Sequence, residues 1–387
     1  MSIPAVSRRT LMASSAATLA ALGMPRGARL AFAAQTPVDG TVIPWTDQLA
    51  ENPVPNVIVQ QLDWETLDSW ITPNDEFFII KHYDEPVIDL ATWTLQVSGL
   101  VSNPMSLTQA DLQARDRSEV TFTLECSGNT GLPFFDGGIG NAVWAGTPLA
   151  AILEEAGVLD KGTEVVFWGA DAGDQVRGDV TITEHFARSM SIEQAMNPEN
   201  LIVWEMNGEP LPPLHGAPAR LIAPGWYGVA NVKWLTRIEI TDQRYAGNFM
   251  ARDYVTMRQV MHDAEQVWTL NTVAHDRLKS APARVIEKDG SYTVQGAAWG
   301  EAIGSVGVSV DGGPWQDAEL TTGADDPYTW TFWTYDLGTL PAGEHTVASR
   351  AISASGEEQP APDDPFLAGK TTYWESNGII TRHFDVS

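Results

Sequence analysis

The 387-residue chain contains one cysteine, Cys126. No intramolecular disulfide can form. A covalently attached c-type haem, which needs two cysteines and a histidine in C-x-x-C-H, is excluded, so any haem partner is expected to be a separate chain. No Cys/His cluster at zinc-ligand spacing exists either. Positive charge is short too: 23 Lys and Arg stand against 50 Asp and Glu, a formal net charge of −27. Nucleic acid and anionic membrane surfaces both demand a basic face, and this balance argues against them. It suits a basic protein partner. A small anionic substrate would enter against the overall field, so its pocket would need local positive charge. Beyond the first 33 residues no apolar run approaches the roughly eighteen residues of a membrane span.

What is abundant is hydrophobic and aromatic. Hydrophobic residues make up 43% of the chain, and fifteen of its residues are Trp, which need large buried sites or a cofactor wall. The length suits two domains. At the N-terminus, Ser7-Arg8-Arg9-Thr10-Leu11-Met12 precedes a small-residue apolar run, Ala13 to Leu22, and an A-x-A pattern at Ala31-Phe32-Ala33. These features describe a twin-arginine signal over residues 1–33, which implies export in the folded state to a periplasmic or other extracytoplasmic space.

From about Val54 to Asp242 strand-like and helix-like segments mix. Strands are expected at Trp93 to Val97, Val120 to Leu124, Val165 to Trp168, Leu201 to Met206, Arg220 to Ala223 and Trp234 to Ile240. Helices are expected at Leu107 to Ala114, capped by Ser106, and at Pro148 to Ala156, stopped by Gly157. This predicts an α+β domain over residues 34–247. After about Ala264 the texture becomes short strands (Arg284 to Ile286, Ser291 to Gln295, Val306 to Val310, Tyr328 to Trp333, Glu344 to Ile352) separated by turns such as Asp311-Gly312-Gly313. That pattern predicts an all-β sandwich over residues 248–387.

Cys126 falls where the strand Val120 to Leu124 runs into Glu125-Cys126-Ser127-Gly128-Asn129. A lone cysteine can be a small buried hydrophobe. Here Gly128 and Gly131 would let the backbone approach a bulky group, and a thiolate at a strand end is a suitable soft ligand for a heavy metal. One thiolate cannot hold a bare metal, so the metal would arrive already chelated by an organic cofactor.

Glu125-Cys126-Ser127-Gly128-Asn129 resembles the cysteine motif of the sulfite oxidase and assimilatory nitrate reductase family. Phe77-Phe78-Ile79-Ile80-Lys81-His82 resembles its N-terminal cofactor motif, and Asn141 to Gly146 the segment after the cysteine. His215-Gly216-Ala217-Pro218-Ala219-Arg220, Pro224-Gly225 and Gly228 to Leu235 resemble its second cofactor segment. Arg252-Asp253-Tyr254 looks like its tyrosine motif, and Arg350-Ala351 with Gln359-Pro360 like its C-terminal dimerisation domain. The resemblance covers nearly all of the chain after residue 33, in the family's order.

It implies a molybdopterin-binding domain followed by an immunoglobulin-like sandwich through which such chains often dimerise. It also implies a molybdenum ion held by one pterin dithiolene, two oxygen ligands and Cys126. Arg220 and Lys233 would pair with the pterin phosphate. His82, His215, and the backbone around Gly228 and Asn231 would donate further hydrogen bonds. Lys81, Asp171 and Ser189 fall at cofactor-contact positions. Tyr254 would donate to a metal oxygen or a bound oxyanion, and Arg350 could reach the anion site. Ordinary alternatives stand beside each of these. Asp171 lies in Gly-Ala-Asp-Ala-Gly and could simply make a turn, His82 could be a satisfied core histidine, Tyr254 a half-buried aromatic at a domain junction, and Arg350 part of a cross-sheet salt bridge. The activity implied is oxidation of sulfite to sulfate, with electrons passed to an external acceptor such as cytochrome c. Two positions depart from the pattern: Ile80 and Gly131 stand where the family usually has arginines that surround the substrate. Lys81 is expected to point away from Ile80, on the opposite strand face. Loss of two charged donors leaves open an oxo-transfer enzyme for another sulfur or nitrogen compound. An exported binding protein without turnover is a further alternative, against which the presence of both Cys126 and Tyr254 counts.

Overall fold

The computed structural model describes residues 39–323 and 326–387. The expected signal over residues 1–33 lies outside these. Helices are few and short among the described residues, the longest α-helix being Leu149–Ala156, so the α+β expectation resolves into a mainly β molecule.

Two sheets build the first unit. One orders the strands Glu209–Pro210, Leu201–Met206, Ile139–Pro148 and Ser118–Glu125, with Arg220–Ile222 also on Leu201–Met206. The other orders Met105–Leu107, Leu95–Gly99, Leu235–Thr241, Glu164–Arg177 and Val180–Ser191. Only Leu95–Gly99 with Leu235–Thr241 is parallel within these sheets. The helix Leu149–Ala156 covers the junction. Leu149, Ile152, Leu153 and Ala156 recur at helical spacing and pack with Val165, Phe167, Ile202 and Ile238 in one core. It stops at Gly157, which takes φ +65°, a left-handed cap that glycine adopts without strain. The earlier helix is Gln109–Gln113. Its cap is Thr108 rather than Ser106, because the Thr108 hydroxyl and the Asp111 carboxylate each accept from the other's backbone N–H.

The second unit is a pair of antiparallel sheets. One orders Thr41–Ile43, Lys279–Lys288, Ser291–Trp299, Thr331–Gly338 and Glu319–Thr322; the other orders Gln316–Asp317, Ile303–Val310, Gly343–Ser353 and Ile380–Val386. Alternating residues of both faces (Val285, Val294, Val306, Val308, Val347, Phe384) fill the space between them. The sandwich is not continuous in sequence. Thr41–Ile43 pairs with Lys279–Lys288, and Trp45 joins its core and donates its indole N–H to the Ala283 carbonyl at 3.0 Å. A domain beginning at residue 34 and closing at 247 therefore divides these residues from the sheet they belong to.

The units meet through tryptophan. The Trp70 and Trp330 indoles donate to each other's carbonyl oxygens at 3.0 and 2.8 Å, and Trp64 stacks on Trp299 with centroids 6.0 Å apart.

Candidate active site

The cysteine sits where the strand Ser118–Glu125 ends. Its N–H donates to the Gly138 carbonyl at 2.8 Å, its carbonyl accepts from Asn129 N–H at 2.9 Å, and Gly131 N–H closes the next turn on Gly128. Gly128 and Gly131 are needed for different reasons. A Cβ on Gly131 would lie 2.1 Å from the Tyr373 carbonyl oxygen, whereas one on Gly128 would only touch the Tyr373 and Trp374 rings. Cys126 is buried, and burial pushes its thiol up to about 12. The proton is thus held tightly until a metal displaces it.

Cys126 borders a cavity that opens to solvent, with about 630 Å³ of free space counting its mouth. The same cavity is lined by Lys81, His82, Asp171, His215, Arg220, Gly228, Asn231, Lys233 and Tyr254, together with Ile80, Phe186 and Leu214. Ile80 and Lys81 both face it. The strand Ile79–Ile80 ends before Lys81, so alternation no longer governs the lysine, and the expectation of opposite faces is corrected. Asp171 is not in a turn. It lies in the long strand Glu164–Arg177, where the register with Val180–Ser191 jumps between Trp168 and Ala172. Such an irregularity re-aims a side chain, here into the cavity.

The charged groups are poorly partnered. Arg220 donates from its two terminal nitrogens to the carbonyls of His215 (2.9 Å) and Asn231 (3.0 Å), and its Nε has no partner. Lys233 Nζ donates to the carbonyls of Ile80 (2.9 Å) and Leu214 (3.0 Å), which leaves one proton over. The Asp171 Oδ1 is buried without a partner. Burial holds Arg220 down at about 9 and, helped by Arg220 itself, Lys233 at about 7. Burial raises Asp171 to about 6. His82 and His215 are pushed down to about 3 and about 4, chiefly by burial, so both are neutral near pH 7; the one N–H of His215 is donated from Nε2 to the Asn74 carbonyl at 2.9 Å, so the expectation that it donates to a cofactor is corrected. His82 Nε2 lies 2.5 Å from the Tyr254 hydroxyl. Tyr254 itself takes φ +54°, a strained setting for a bulky residue, and its ring stacks on Trp374 with centroids 4.1 Å apart.

Three expectations need correction. Ser189 does not reach the cavity: its hydroxyl donates to Glu164 Oε1 at 2.8 Å, on the neighbouring strand. Arg350 does not either. It pairs with Glu358, in the segment just after its own strand Gly343–Ser353, at 3.1 Å and lies over the Trp315 ring, a local salt bridge on the sandwich. Asn231 borders the cavity, but the backbone N–H expected to donate there is taken by the Gly228 carbonyl at 3.1 Å, and its side-chain amide is bonded to Ala223 N–H and to the Trp226 and Tyr227 carbonyls, so it shapes the loop. Residues not anticipated include Phe186, whose ring stacks on His82, and the buried Arg188, whose guanidinium donates to the carbonyls of Phe249 and Val273. A lone cation in the strand stretch Phe186-Ala187-Arg188-Ser189-Met190 is the one signal that pointed to it.

Residues 82–249 match the family model of the oxidoreductase molybdopterin binding domain. The mitochondrial sulfite oxidase of Mus musculus is 32% identical over 345 residues, covering 81% of this chain and 60% of that protein. The sulfite oxidase of Arabidopsis thaliana is 30% identical over 330 residues, covering 76% of this chain and 83% of that one. The chain belongs to the sulfite oxidase family of molybdopterin oxidoreductases. It spans about 60% of the length of the mammalian sulfite oxidases it matches. Its fold also matches the sulfane dehydrogenase SoxCD from Paracoccus pantotrophus, with a TM-score of 0.74 and 27% identity over 94% of this chain and 93% of that one.

The cofactor of this family is molybdenum chelated by molybdopterin, and the cavity fits it. In a chain of net charge −27, Lys81, Arg220 and Lys233 converge on one pocket, and Arg220 and Lys233 have spare donors suited to an anion. A terminal phosphate supplies that anion. Asp171 Oδ1 offers an acceptor suited to pterin N–H groups, and Cys126 offers the soft ligand. A Cβ on Gly228 would come within 3.3 Å of the Glu125 carbonyl, so that wall closes tightly on the cysteine turn.

Proposed function

We propose that the protein oxidises a reduced sulfur compound by oxygen-atom transfer, with sulfite as the reference substrate and an external one-electron acceptor such as cytochrome c. The observation that carries this is the buried Cys126 thiol on a cavity whose cations have spare donors. When bound, the molybdenum centre supplies two-electron oxygen-atom transfer and releases the electrons singly. The protein's own share is to hold and to orient. Arg220, Lys233 and Lys81 neutralise the phosphate end. Cys126 Sγ loses its proton to become a ligand. Tyr254 offers its hydroxyl proton to an oxygen on the substrate side, steadied by His82 Nε2. The aromatic packing of Phe186 and Trp374 keeps water from that hydrogen bond.

A second reading concerns the substrate's charge. Ile80 lines the cavity as an aliphatic side chain, Gly131 is packed against Tyr373, and Arg350 is spent on Glu358. None of the three anticipated arginines reaches the site. This favours a sulfur atom carried on a larger, less charged group over free sulfite, and the fold match to a sulfane dehydrogenase supports it. Acceptor reduction by the molybdenum-loaded protein decides between them. Turnover with sulfite supports the first reading. Turnover with a thiol-bound persulfide and none with sulfite supports the second. A fully loaded protein inert to both would sink the proposal.

Export by the twin-arginine route, an immunoglobulin-like identity for the sandwich, and homodimerisation through it belong to the same proposal. They rest on the motifs of the sequence and the family.

A further inference from the structure

Beneath the cysteine turn lies a buried ion pair that none of the cofactor contacts uses. The Lys279 ammonium and the Glu125 carboxylate are 2.6 Å apart, with side chains 1% and 0% exposed. The lysine opens the strand Lys279–Lys288 of the sandwich; the carboxylate immediately precedes Cys126. Lys279 Nζ also reaches the Thr130 hydroxyl at 3.2 Å and the Asn129 carbonyl at 3.5 Å. Its three contacts thus bracket the turn that carries Cys126. The other carboxylate oxygen accepts from the Trp299 indole at 2.9 Å, again from the sandwich. Asn129 closes a ring within the turn. Its amide donates to Glu125 Oε1 at 2.9 Å, its Oδ1 accepts from Gly138 N–H at 2.9 Å, and the Gly138 carbonyl takes the Cys126 N–H. Thr130 is held at φ +61°, a setting that a β-branched residue keeps only when its surroundings impose it.

We propose that Lys279 and Trp299, acting through Glu125, are positioning residues that aim the Cys126 sulfur at the molybdenum, so that the second unit sets the geometry of the metal ligand. Buried ion pairs are poor sources of stability, since an apolar pair of similar volume packs as well. What this pair supplies is direction: charge-assisted hydrogen bonds fix a turn that apolar contacts would leave able to rotate. The inference rests on Cys126 being the molybdenum ligand.

The test uses the cofactor-loaded full chain and three variants. Lys279→Met removes the ammonium. Glu125→Gln with Lys279→Met removes both charges, so neither is left buried alone. Trp299→Phe removes one N–H while keeping the ring against Trp64. Bound molybdenum, the thermal midpoint and the Mo(V) electron paramagnetic resonance signal are read for each. We expect Lys279→Met to lose roughly tenfold in molybdenum affinity, as outer-sphere partners of ligands typically do. We expect the double variant to regain the thermal midpoint yet keep a displaced Mo(V) signal, and Trp299→Phe to displace it less. Wild-type Mo(V) signals in the folded double variant and in Trp299→Phe would overturn the proposal. A wild-type protein that binds molybdenum with a signal indifferent to Cys126→Ser would instead remove its foundation.

Discussion

Lys233 is buried on the cavity, its Nζ held by the carbonyls of Ile80 and Leu214. In the apoprotein, burial and the neighbouring Arg220 hold its pKa at about 7 against an ordinary 10.5. Across that window the unfolded chain carries a proton that the folded apoprotein lacks, so this group makes the apoprotein more stable as pH rises from 7 toward 10.5 and less stable as pH falls through 7. A phosphate beside the ammonium restores the charge. Cofactor insertion at pH 8 is therefore expected to take up close to one proton at Lys233 while ligation by Cys126 releases one, so wild type should take up about one proton more than Lys233→Met, and its affinity advantage over that variant should shrink as pH rises above about 7. Proton uptake on titration in weak buffer measures this. Asp276, raised by burial to about 8, drives apoprotein stability the other way, so the difference from Lys233→Met isolates the lysine. At the same scale, Cys126→Ala is expected to leave the thermal midpoint within about 1–2 kcal/mol of stability, because it deletes a small, soft group from a core. It should abolish oxygen-atom transfer. Turnover comparable to wild type would remove the thiol from the chemistry.

At the scale of elements, the two missing arginines have different structural causes, and this separates their variants. Ile80 ends a two-residue strand paired with Ile58–Gln60 and looks into open cavity, so Ile80→Arg adds a donor without displacing backbone. Gly131 lies against the segment Thr371 to Gly378, whose Tyr373 carbonyl occupies the place of a Cβ. That segment is fastened by Glu375 N–H to the Ser127 carbonyl, by Lys370 Nζ to the Trp374 carbonyl, and by Thr130 to the Ser376 carbonyl. Ile80→Arg should lower KM for sulfite about tenfold or more, the effect of one charged hydrogen bond. Gly131→Arg should lower the thermal midpoint and gain nothing in KM. Equal gains from both would refute the steric account. The elements themselves were unevenly legible. Leu201–Met206 and the helix before Gly157 were readable because their apolar periodicity and stop signal agree with their tertiary setting. Asp171 was not, since Gly-Ala-Asp-Ala-Gly has turn chemistry and only the pairing across Val180–Ser191 makes it a strand irregularity. The cavity motifs Phe77 to His82 and His215 to Lys233 were legible as chemistry before they were legible as structure. Ser189 and Arg350 failed for the opposite reason: a strand position alone does not say which partner, Glu164 or Glu358, will claim the side chain. The hairpin Val255–His262 with Glu265–Thr272 was expected only as part of the sandwich over residues 248–387 but forms a two-stranded sheet of its own; its strands were not legible because its face with Met257, Met261, Trp268 and Leu270 is exposed and breaks the inward-apolar rule.

At the scale of the molecule, charge is the governing quantity. A net −27 gives a field that reaches about 10 Å from the surface at 0.1 M salt and further when salt is low. The cations that oppose it, Arg220 and Lys233, are buried and hydrogen-bonded to backbone carbonyls, so an approaching substrate meets the negative exterior first. An anion such as sulfite is then repelled during encounter, while a basic electron acceptor is drawn in. Raising salt from about 0.02 M to about 0.2 M shortens the screening length roughly threefold and weakens both effects. The two half-reactions should respond with opposite signs. At saturating acceptor, kcat/KM for sulfite is expected to rise with salt. With saturating substrate, the second-order rate for a basic cytochrome c is expected to fall, as it does wherever complementary charge steers association. A persulfide substrate carries at most one negative charge at its reacting sulfur and should show a smaller rise, so the same salt series also reports the substrate's charge. A sulfite rate that falls with salt would mean that local positive charge at the cavity mouth, and not the acidic whole, governs capture.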